Sequence, residues 1–447
     1  MIRSLAAVAA AALLSSFVHV PAQAAVVAVS TVSSLQAAID TARPGQRIVL
    51  ARGVHPADRP VKITRSGITV AAQTIGATVF TGRGGIALGD VRDVTVEGFV
   101  FDGESGTTVP AGALATRITR NTYNGNRDGA SLTVSANDVE VDHNTFSNRS
   151  NEGVYLQITG PGSEIAQRTH VHHNYFYNHS FTGSNGGESI RLGYSHKQSK
   201  SAYAVIEHNL FDKANGDAEA ISVKSSDNTV RFNTIRNSKG YIVLRHGNRT
   251  VVEGNLLFGS GIRFHGNDHR VFNNYVQNTG DRAIVFGKGS ETDSGPTSTS
   301  HDRPDRVTVA FNTLVGTGAV VDSDTGTYAP KDCVLANNII QGSSSKLVDL
   351  MSGSTVKYEG NIVWGGTAGI PSGYRSVDPK LVRDSNGLLR LSSGSPAIDT
   401  SAGPYSYVTR DFDPQARSGK PDVGADEYST SATRKPLTTA DVGVNAP

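Results

Sequence analysis

The sequence has almost no cysteine and almost no tryptophan. Its 447 residues include one Cys, Cys333, and one Trp. A single cysteine cannot form a disulfide within the chain, and it excludes a zinc site built from cysteines. The near absence of Trp argues against a propeller of Trp-Asp repeats. We therefore expect a fold that is stabilised by packing rather than by cross-links.

Net charge and long apolar runs are scarce as well. The formal net charge is +2, and hydrophobic residues make up 37% of the chain. A nearly neutral chain lacks the broad field that attracts nucleic acid, so an anionic partner needs a local patch. The chain is too apolar for disorder, and no apolar run beyond the N-terminus is long enough to span a bilayer. We expect neither a nucleic-acid nor a membrane partner.

The first 24 residues have the pattern of a signal peptide. Arg3 precedes an apolar stretch from Leu5 to Val20, and Ala22-Gln23-Ala24 has the form of a cleavage site. An N-terminal membrane anchor is the alternative, which the short apolar run disfavours. The pattern therefore predicts residues 1–24 as a signal peptide and a secreted mature protein.

A short pattern centred on asparagine recurs along the chain, with apolar residues after each Asn. The key residues are Asn144, Asn174, Asn209, Asn233, Asn255, Asn274, Asn312, Asn338 and Asn361. They are 19 to 38 residues apart, which is typical of a solenoid. Short alternating runs precede the copies and predict β-strands. The pattern predicts an all-β, single-domain, right-handed parallel β-helix, with each Asn in a turn or left-handed conformation and its amide bonded to the next copy.

A solenoid needs caps, because its end coils expose apolar faces and unpaired edges. Residues 34–42 predict an amphipathic N-terminal capping helix, with Ser33 or Ser34 as its N-cap. We expect one domain over residues 25–428 and a flexible C-terminal tail over 429–447. Long repeats place loops at about 193–203 and 288–306, and such loops commonly wall a binding face.

Three segments, at 185–193, 217–225 and 244–248, carry more charge than structural coils need. Alternation along a strand turns Val223 inward and Lys224 outward. Asp217 and Glu219 share the parity of the inward residues, yet a charged pair is too costly to bury in the core. We therefore expect a corner or bulge directly after Glu219, which leaves both carboxylates outside.

The same alternation applies to the strands of the neighbouring coils. Arg245 follows Lys224 by 21 residues, or one coil, so the two side chains should stand about 5 Å apart. Arg191 and Arg263 face outward on the flanking coils. We expect one outward column of Arg191, Lys224, Arg245 and Arg263. Stacked like charges repel one another, so the column predicts an anionic ligand.

Structural explanations compete with this interpretation. A lone surface Lys or Arg is usually solvated, and the histidines beside turn asparagines are expected to be structural. Those histidines are His143, His172, His173 and His208. Nothing supports a Ser-His-Asp triad. An inverting glycosidase would need one carboxyl group held protonated, and the basic neighbours oppose protonation of Asp217 and Glu219.

The charged segments resemble polysaccharide lyase family 6, which contains alginate lyases and chondroitinase B. The resemblance is carried by NGGESIRLG at 185–193, the acid-x-acid segment ending in Lys-Ser at 217–225, Arg-His-Gly at 245–247, and 261–275. It implies Lys224 as general base and Arg245 as general acid or its positioner. It also implies a calcium site. The implied calcium ligands are Asn185, Asp217 and Glu219, and the expected substrate-binding residues are Arg191, Arg263, His246, His265 and His269.

Such residues suit the β-elimination of a uronate polymer, in which a base removes the C5 proton and the C4 oxygen leaves. The base must be neutral, so Lys224 needs a lowered pKa. Asp217 stands where the family more often has Glu, which shortens one calcium ligand. We expect a secreted, monomeric alginate lyase with Ca²⁺ as its cofactor. A dermatan sulfate lyase, a non-catalytic carbohydrate-binding β-helix and a uronan C5-epimerase are the alternatives.

Overall fold

A computed structural model of the chain describes residues 25–278, 280, 282–293, 295 and 298–447. The predicted signal peptide lies outside these residues. Within the described ranges, no helix has both the length and the apolar composition needed to cross a membrane.

One α-helix, Val32–Thr41, covers the N-terminal end of the solenoid. Its N-cap is Thr31, not the predicted Ser33 or Ser34. The Thr31 side chain accepts a hydrogen bond from the Ser34 backbone N–H, and the Ser34 hydroxyl accepts one from the Thr31 N–H. Leu35 and Ile39 are fully buried, which confirms the predicted capping helix. A 3-10 turn, Ser195–Lys197, lies in the first of the predicted long loops.

Three long parallel sheets run the length of the described chain, and successive strands visit them in turn, as in a parallel β-helix. The first sheet contains, in spatial order, Val26–Val29, Arg47–Leu50, Thr69–Ala72, Thr95–Glu97, Arg117–Thr119, Glu140–Asp142, His170–His172, Val205–Glu207, Thr229–Arg231, Val251–Glu253, Arg270–Phe272, Thr308–Ala310, Cys333–Ala336 and Val356–Glu359. The second contains Pro60–Ile63, Gly85–Leu88, Gly106–Val109, Leu132–Val134, Leu156–Ile158, Ile190–Gly193, Glu219–Lys224, Tyr241–His246, Ile262–Phe264, Ile284–Phe286, Val321–Ser323 and Val348–Asp349. The third contains Gly53–Pro56, Thr78–Thr81, Val100–Asp102, Thr122–Asn124, Thr145–Arg149, Tyr175–His179, Leu210–Ala214, Thr234–Arg236, Leu256–Phe258, Tyr275–Asn278, Thr313–Gly316, Ile339–Gln341, Asn361–Trp364 and Tyr374–Arg375.

The core runs along the axis between the three sheets and consists of columns of like side chains. Phe101, Tyr123, Phe146, Phe176 and Phe211 stack on successive coils, with ring centroids 4.7–5.0 Å apart. In-register pairing places equivalent inward residues above one another, so one column repeats the same contact. This confirms the predicted parallel β-helix.

A continuous asparagine ladder links the coils between the first and third sheets. It contains Asn121, Asn144, Asn174, Asn209, Asn233, Asn255, Asn274, Asn312, Asn338 and Asn361. Each side-chain N–H donates to the amide oxygen of the next member over 2.9–3.2 Å, as predicted. The left-handed residue is not the Asn itself but the one before it, such as His143 with φ of 53°. The amide also donates back two residues, as from Asn144 to the Asp142 carbonyl, which spans that turn.

The C-terminal segment differs from the predicted flexible tail. After an antiparallel hairpin of Leu381–Arg383 and Leu389–Leu391, the chain returns along the outside of the solenoid. The Leu437 N–H donates to Thr234 Oγ1, and the Gly443 N–H donates to the His173 carbonyl. Arg120 donates to the carbonyls of Val444 and Ala446. These hydrogen bonds tie the segment to the solenoid despite its polar composition.

Candidate functional site

The strands Glu219–Lys224 and Tyr241–His246 form the centre of the candidate site on the second sheet. Their pairing shifts register between Glu219 and Ile221 and again between Val223 and Lys224. The first shift is the predicted bulge, and it turns the acidic side chains out of the core. The second shift pairs Lys224 with His246. We call the outward face of the second sheet around Lys224 the groove.

The predicted single column of four basic residues is wrong. Arg191 pairs with Ser222, and Arg263 pairs with Val243. Lys224 and Arg245 belong to the next outward row, two residues further along their strands. The four cations therefore form two rows, because the strands of each coil start at different offsets from the loops that precede them.

Glu188 is a site residue that the sequence argument missed. It is fully buried, and its carboxylate accepts two hydrogen bonds from Arg191, over 2.9 and 2.5 Å. Its Oε1 also lies 3.4 Å from Lys224 Nζ. Glu188 is the acidic residue of the 185–193 motif, three positions before Arg191, so the motif itself carried the signal.

The Lys224 ammonium is held in surroundings that disfavour its charge. Burial lowers the pKa of Lys224, and nearby Arg191 and Arg245 lower it further. Glu188 and Glu219 act in the opposite direction, but the net shift of the pKa is downward. The Glu188 charge is already neutralised by the bidentate contact of Arg191, which weakens its hold on the ammonium. Lys224 is thus prepared to lose its proton more readily than a free lysine.

Asp217 and Glu219 lie beside Lys224 and are only 4% and 8% exposed. Asp217 Oδ2 accepts hydrogen bonds from the N–H groups of Gly186 and Gly187, over 2.9 and 3.3 Å. Burial raises the pKa of Asp217, and the charges of the nearby acidic residues raise it further. Glu219 Oε1 accepts a 2.6 Å hydrogen bond from Arg245 Nη1. Glu219 Oε2 is buried without a hydrogen-bond partner, which leaves a carboxylate oxygen free to bind a cation.

Asn185 is exposed on the glycine-rich turn of the same motif. Gly186, next to it, has φ of 95°, and Gly187 would place a Cβ only 2.2 Å from the Gly216 carbonyl oxygen. Only glycines allow the two turns to approach so closely. This contact brings the Asn185 turn against the turn that leads into Asp217.

Among the described residues, two groups of His, Asp or Glu side chains have ligand atoms within 4.8 Å of one another: Glu140 with His170 and His172, and Asp411 with Asp413 and Asp426. The second group already binds a cation, because the Arg390 guanidinium donates to Asp413 and Asp426.

Arg263 and three histidines form the side of the groove beyond Arg245. Arg263 pairs with Asp324 over 2.6 Å. The His301 ring stacks against His246 and His265, with centroids 4.9 and 4.3 Å away. His301 lies in the second predicted long loop. The sequence predicted this loop but did not identify His301 as a site residue. Burial lowers the pKa of His246 to about 3 and of His301 to about 4, so both rings are neutral near pH 7.

Of the histidines predicted to contact substrate, His246 lies nearest to Lys224 in the sheet. Its Nε2 lies 3.0 Å from Ser195 Oγ in the first long loop. His265 and His269 are only 2% and 1% exposed. His269 Nε2 contacts the His265 carbonyl, and His269 Nδ1 accepts from the Thr250 N–H. The structure therefore does not bring His269 to the groove, because its ring supports the turn behind His265.

The two predicted long loops contact each other, and both reach His246. Gln198 in the first loop donates a 2.7 Å hydrogen bond to the Ser298 carbonyl in the second. On the other side of Lys224, a cleft of about 510 Å³ extends along the second sheet. Its lining includes Gln157, Arg191 and Tyr194. The lining of this cleft is mostly polar, which suits a polar ligand better than an apolar one.

The fold and the groove define a parallel β-helix with a lysine, arginines and carboxylates gathered on one sheet. The family model described as Chondroitinase B matches residues 29–346. The chain therefore belongs to the Chondroitinase B family, as the sequence motifs indicated. No curated protein matches the chain.

Three solved structures share the fold. The PL6 family alginate lyase AlyGC has a TM-score of 0.74 and 24% identity, covering 93% of this chain and 60% of its own. A mannuronic acid specific polysaccharide family 6 lyase from human gut microbiota has a TM-score of 0.72 and 21% sequence identity. The match covers 79% of this chain and 91% of that one. Alginate lyase AlyF-OU02, in complex with G6, has a TM-score of 0.69 and 22% sequence identity. The match covers 83% of this chain and 90% of that one. This chain thus spans 60% of the length of AlyGC.

Proposed function

We propose that this protein is a secreted alginate lyase that cleaves the polymer by β-elimination. The observation that carries the proposal is the buried Lys224, whose pKa is lowered beside the Arg245 guanidinium and a pair of carboxylates. A binding module needs cations to hold a polyanion, but it has no use for a lysine prepared to become neutral. The names of the fold neighbours support alginate as the substrate class.

In the proposed reaction, the neutral Lys224 Nζ takes the proton from C5 of a uronate. The electron pair of that C–H bond forms the C4–C5 double bond, and the C4–O bond breaks. The departing oxygen receives a proton on the side of Arg245, which acts as the acid or orients it. Arg191, fixed by Glu188 at the edge of the cleft, is placed to pair with a neighbouring carboxylate of the polymer.

We further propose that Asn185, Asp217 and Glu219 hold a calcium ion. These residues fit a hard cation, because all three offer oxygen and Glu219 Oε2 is buried without a partner. When bound, calcium would neutralise the uronate carboxylate and make the C5 proton more acidic. Asp217, whose pKa is raised by burial and neighbouring negative charge, would gain a counter-charge in the same place.

A dermatan sulfate lyase is the second candidate function, because the family model that the chain matches is described as Chondroitinase B. The test is to incubate the purified chain with alginate, polymannuronate, polyguluronate and dermatan sulfate. Ultraviolet absorbance follows conjugated ends, and mass spectrometry shows whether water was added. We expect unsaturated products without added water from alginate. Hydrolytic products, or no reaction with any polyuronate, would contradict the lyase proposal, and cleavage of dermatan sulfate alone would favour the second candidate.

A further inference from the structure

A second cluster of ionisable side chains lies on the outward face of the first sheet, away from the groove. It consists of Glu140, His170 and His172, here called the imidazole cluster. Glu140 and His170 are register partners on adjacent strands, and His172 follows on the same face two residues later. One ligand atom from each residue lies within 4.8 Å of the others. The parallel register thus gathers two imidazoles and a carboxylate from two coils.

The spacing within the cluster is close to what a transition metal requires. The His170 and His172 ring centroids are 4.2 Å apart, and His172 Nε2 lies 3.0 Å from Glu140 Oε1. Ligand atoms around a tetrahedral zinc lie about 3.3 Å apart, since zinc–nitrogen bonds are ~2.0–2.1 Å. The side chains of His170 and Glu140 are 41% and 40% exposed, so an ion can enter from solvent.

The hydrogen bonds around His172 suit a metal ligand. His172 Nδ1 lies 2.9 Å from His173 Nδ1, so one of these two nitrogens carries the shared hydrogen. If His172 Nε2 binds a metal, its Nδ1–H donates to His173, which fixes the orientation of the ring.

The charges around the cluster favour a cation. His170 Nε2 also lies 2.7 Å from Glu207 Oε1, which adds a negative charge beside the cluster. Two guanidiniums, those of Arg117 and Arg231, oppose a cation. They face four carboxylates, those of Glu140, Asp142, Glu207 and Glu253. The four carboxylates outnumber the two guanidiniums, which favours the binding of a divalent cation.

We propose that Glu140, His170 and His172 form a binding site for a divalent transition metal, with Zn²⁺ as the best match and with water in the fourth position. Imidazole nitrogen suits zinc, nickel and copper but not calcium, so the site is distinct from the calcium site proposed in the groove. It joins the coils that carry Glu140 and His170, where the ladder steps lengthen to 30 and 35 residues. His172, expected from the sequence to be structural, gains a second role.

The test uses the full chain without a histidine tag. After dialysis with zinc chloride, elemental mass spectrometry and titration calorimetry should detect one tightly bound zinc ion per chain. Zinc should also raise the midpoint temperature of thermal unfolding. His170→Gln and His172→Gln should each weaken zinc binding at least about tenfold, which is the effect typical of losing even a residue that supports a metal ligand. The groove variant Glu219→Gln and the surface control His196→Gln should retain the zinc.

The inference is overturned if no saturable zinc binding occurs, or if both cluster variants bind zinc like the unaltered chain. Circular dichroism checks that each variant folds. Should His172→Gln fail to fold, the exposed His170→Gln decides the outcome. Excess calcium chloride should leave the zinc in place, and displacement by calcium would also contradict the proposal.

Discussion

The asparagine ladder and the groove are built on the same coils, yet their buried polar groups are treated differently. In the ladder, an interior amide such as that of Asn209 both donates to and accepts from its neighbours. In the groove, Glu219 Oε2, Ser222 Oγ and Ser189 Oγ are buried without partners. An unsatisfied buried group costs ~1–3 kcal/mol. The ladder thus pairs its buried polar groups with one another, whereas the groove leaves some of its buried polar groups unpaired.

The largest expected effect is the loss of activity when Lys224 or Arg245 is replaced in the groove, with the stability of the fold preserved. Lys224→Ala and Arg245→Ala should each reduce turnover about 10³-fold or more, because general acid–base groups contribute ~10²–10⁴-fold. The thermal midpoint should change little, since Arg191 still neutralises Glu188 when Lys224 is removed. Initial rates on alginate and thermal unfolding measure both effects, with the exposed Lys239→Ala as control. Retention of most activity by Lys224→Ala would mean that the base has been misassigned.

The next effect concerns the metal proposed for the groove. A chelator should lower activity by about 10²-fold, because a bound cation contributes several kcal/mol of charge stabilisation. Calcium should restore activity better than magnesium, which is smaller and loses water reluctantly. Glu219→Ala should weaken calcium binding and turnover together, as measured by calorimetry and rates. Full activity in excess chelator, with no metal in the protein, would refute calcium and leave Arg191 to neutralise the uronate.

A substitution that interrupts the asparagine ladder should have the opposite effect, with lower stability and preserved activity. Asn233→Ala removes the acceptor for the Asn209 N–H and the donor to the Ile206 carbonyl. We expect the free energy of unfolding to fall by about 1–3 kcal/mol or more, with the activity of the folded protein preserved. Urea unfolding and specific activity measure the two quantities. The exposed Asn386→Ala is the control, and an equal loss of stability there would contradict the special role of the ladder.

The smallest effect is a shift of the pH profile. Lys224 acts as a neutral base, so kcat/KM should rise as the pH increases through its pKa, which lies below the 10.5 of an ordinary lysine. The Glu188 carboxylate raises that pKa. Glu188→Gln should therefore move the acidic limb of the profile to lower pH. The control Glu164→Gln, which alters an exposed pair with Lys200, should leave the limb unchanged. A shift to higher pH in Glu188→Gln would contradict this assignment.

The repetitive features could be predicted from the sequence because each coil repeats the same local physics. The Asn-centred period predicted the parallel β-helix and the amide ladder, and parity alone predicted the bulge after Glu219. The N-cap was missed by a few residues, since Thr31 and Ser34 satisfy each other reciprocally and either serine nearby fits the same pattern. The C-terminal segment was missed because its partners, such as Thr234 and His173, are far away in sequence.

The sequence by itself determined the coil, its inward columns, and which residue types face outward near Lys224, because strand parity and period act over short distances. Only the tertiary structure decided which outward residues meet. The offsets between coils separated Arg191 and Arg263 from the row of Lys224 and Arg245, and they placed Glu188 between Arg191 and Lys224. The same register gathered Glu140, His170 and His172 on another face. Contacts between coils depend on the combined length of the loops between them. No local sequence pattern encodes that combined length.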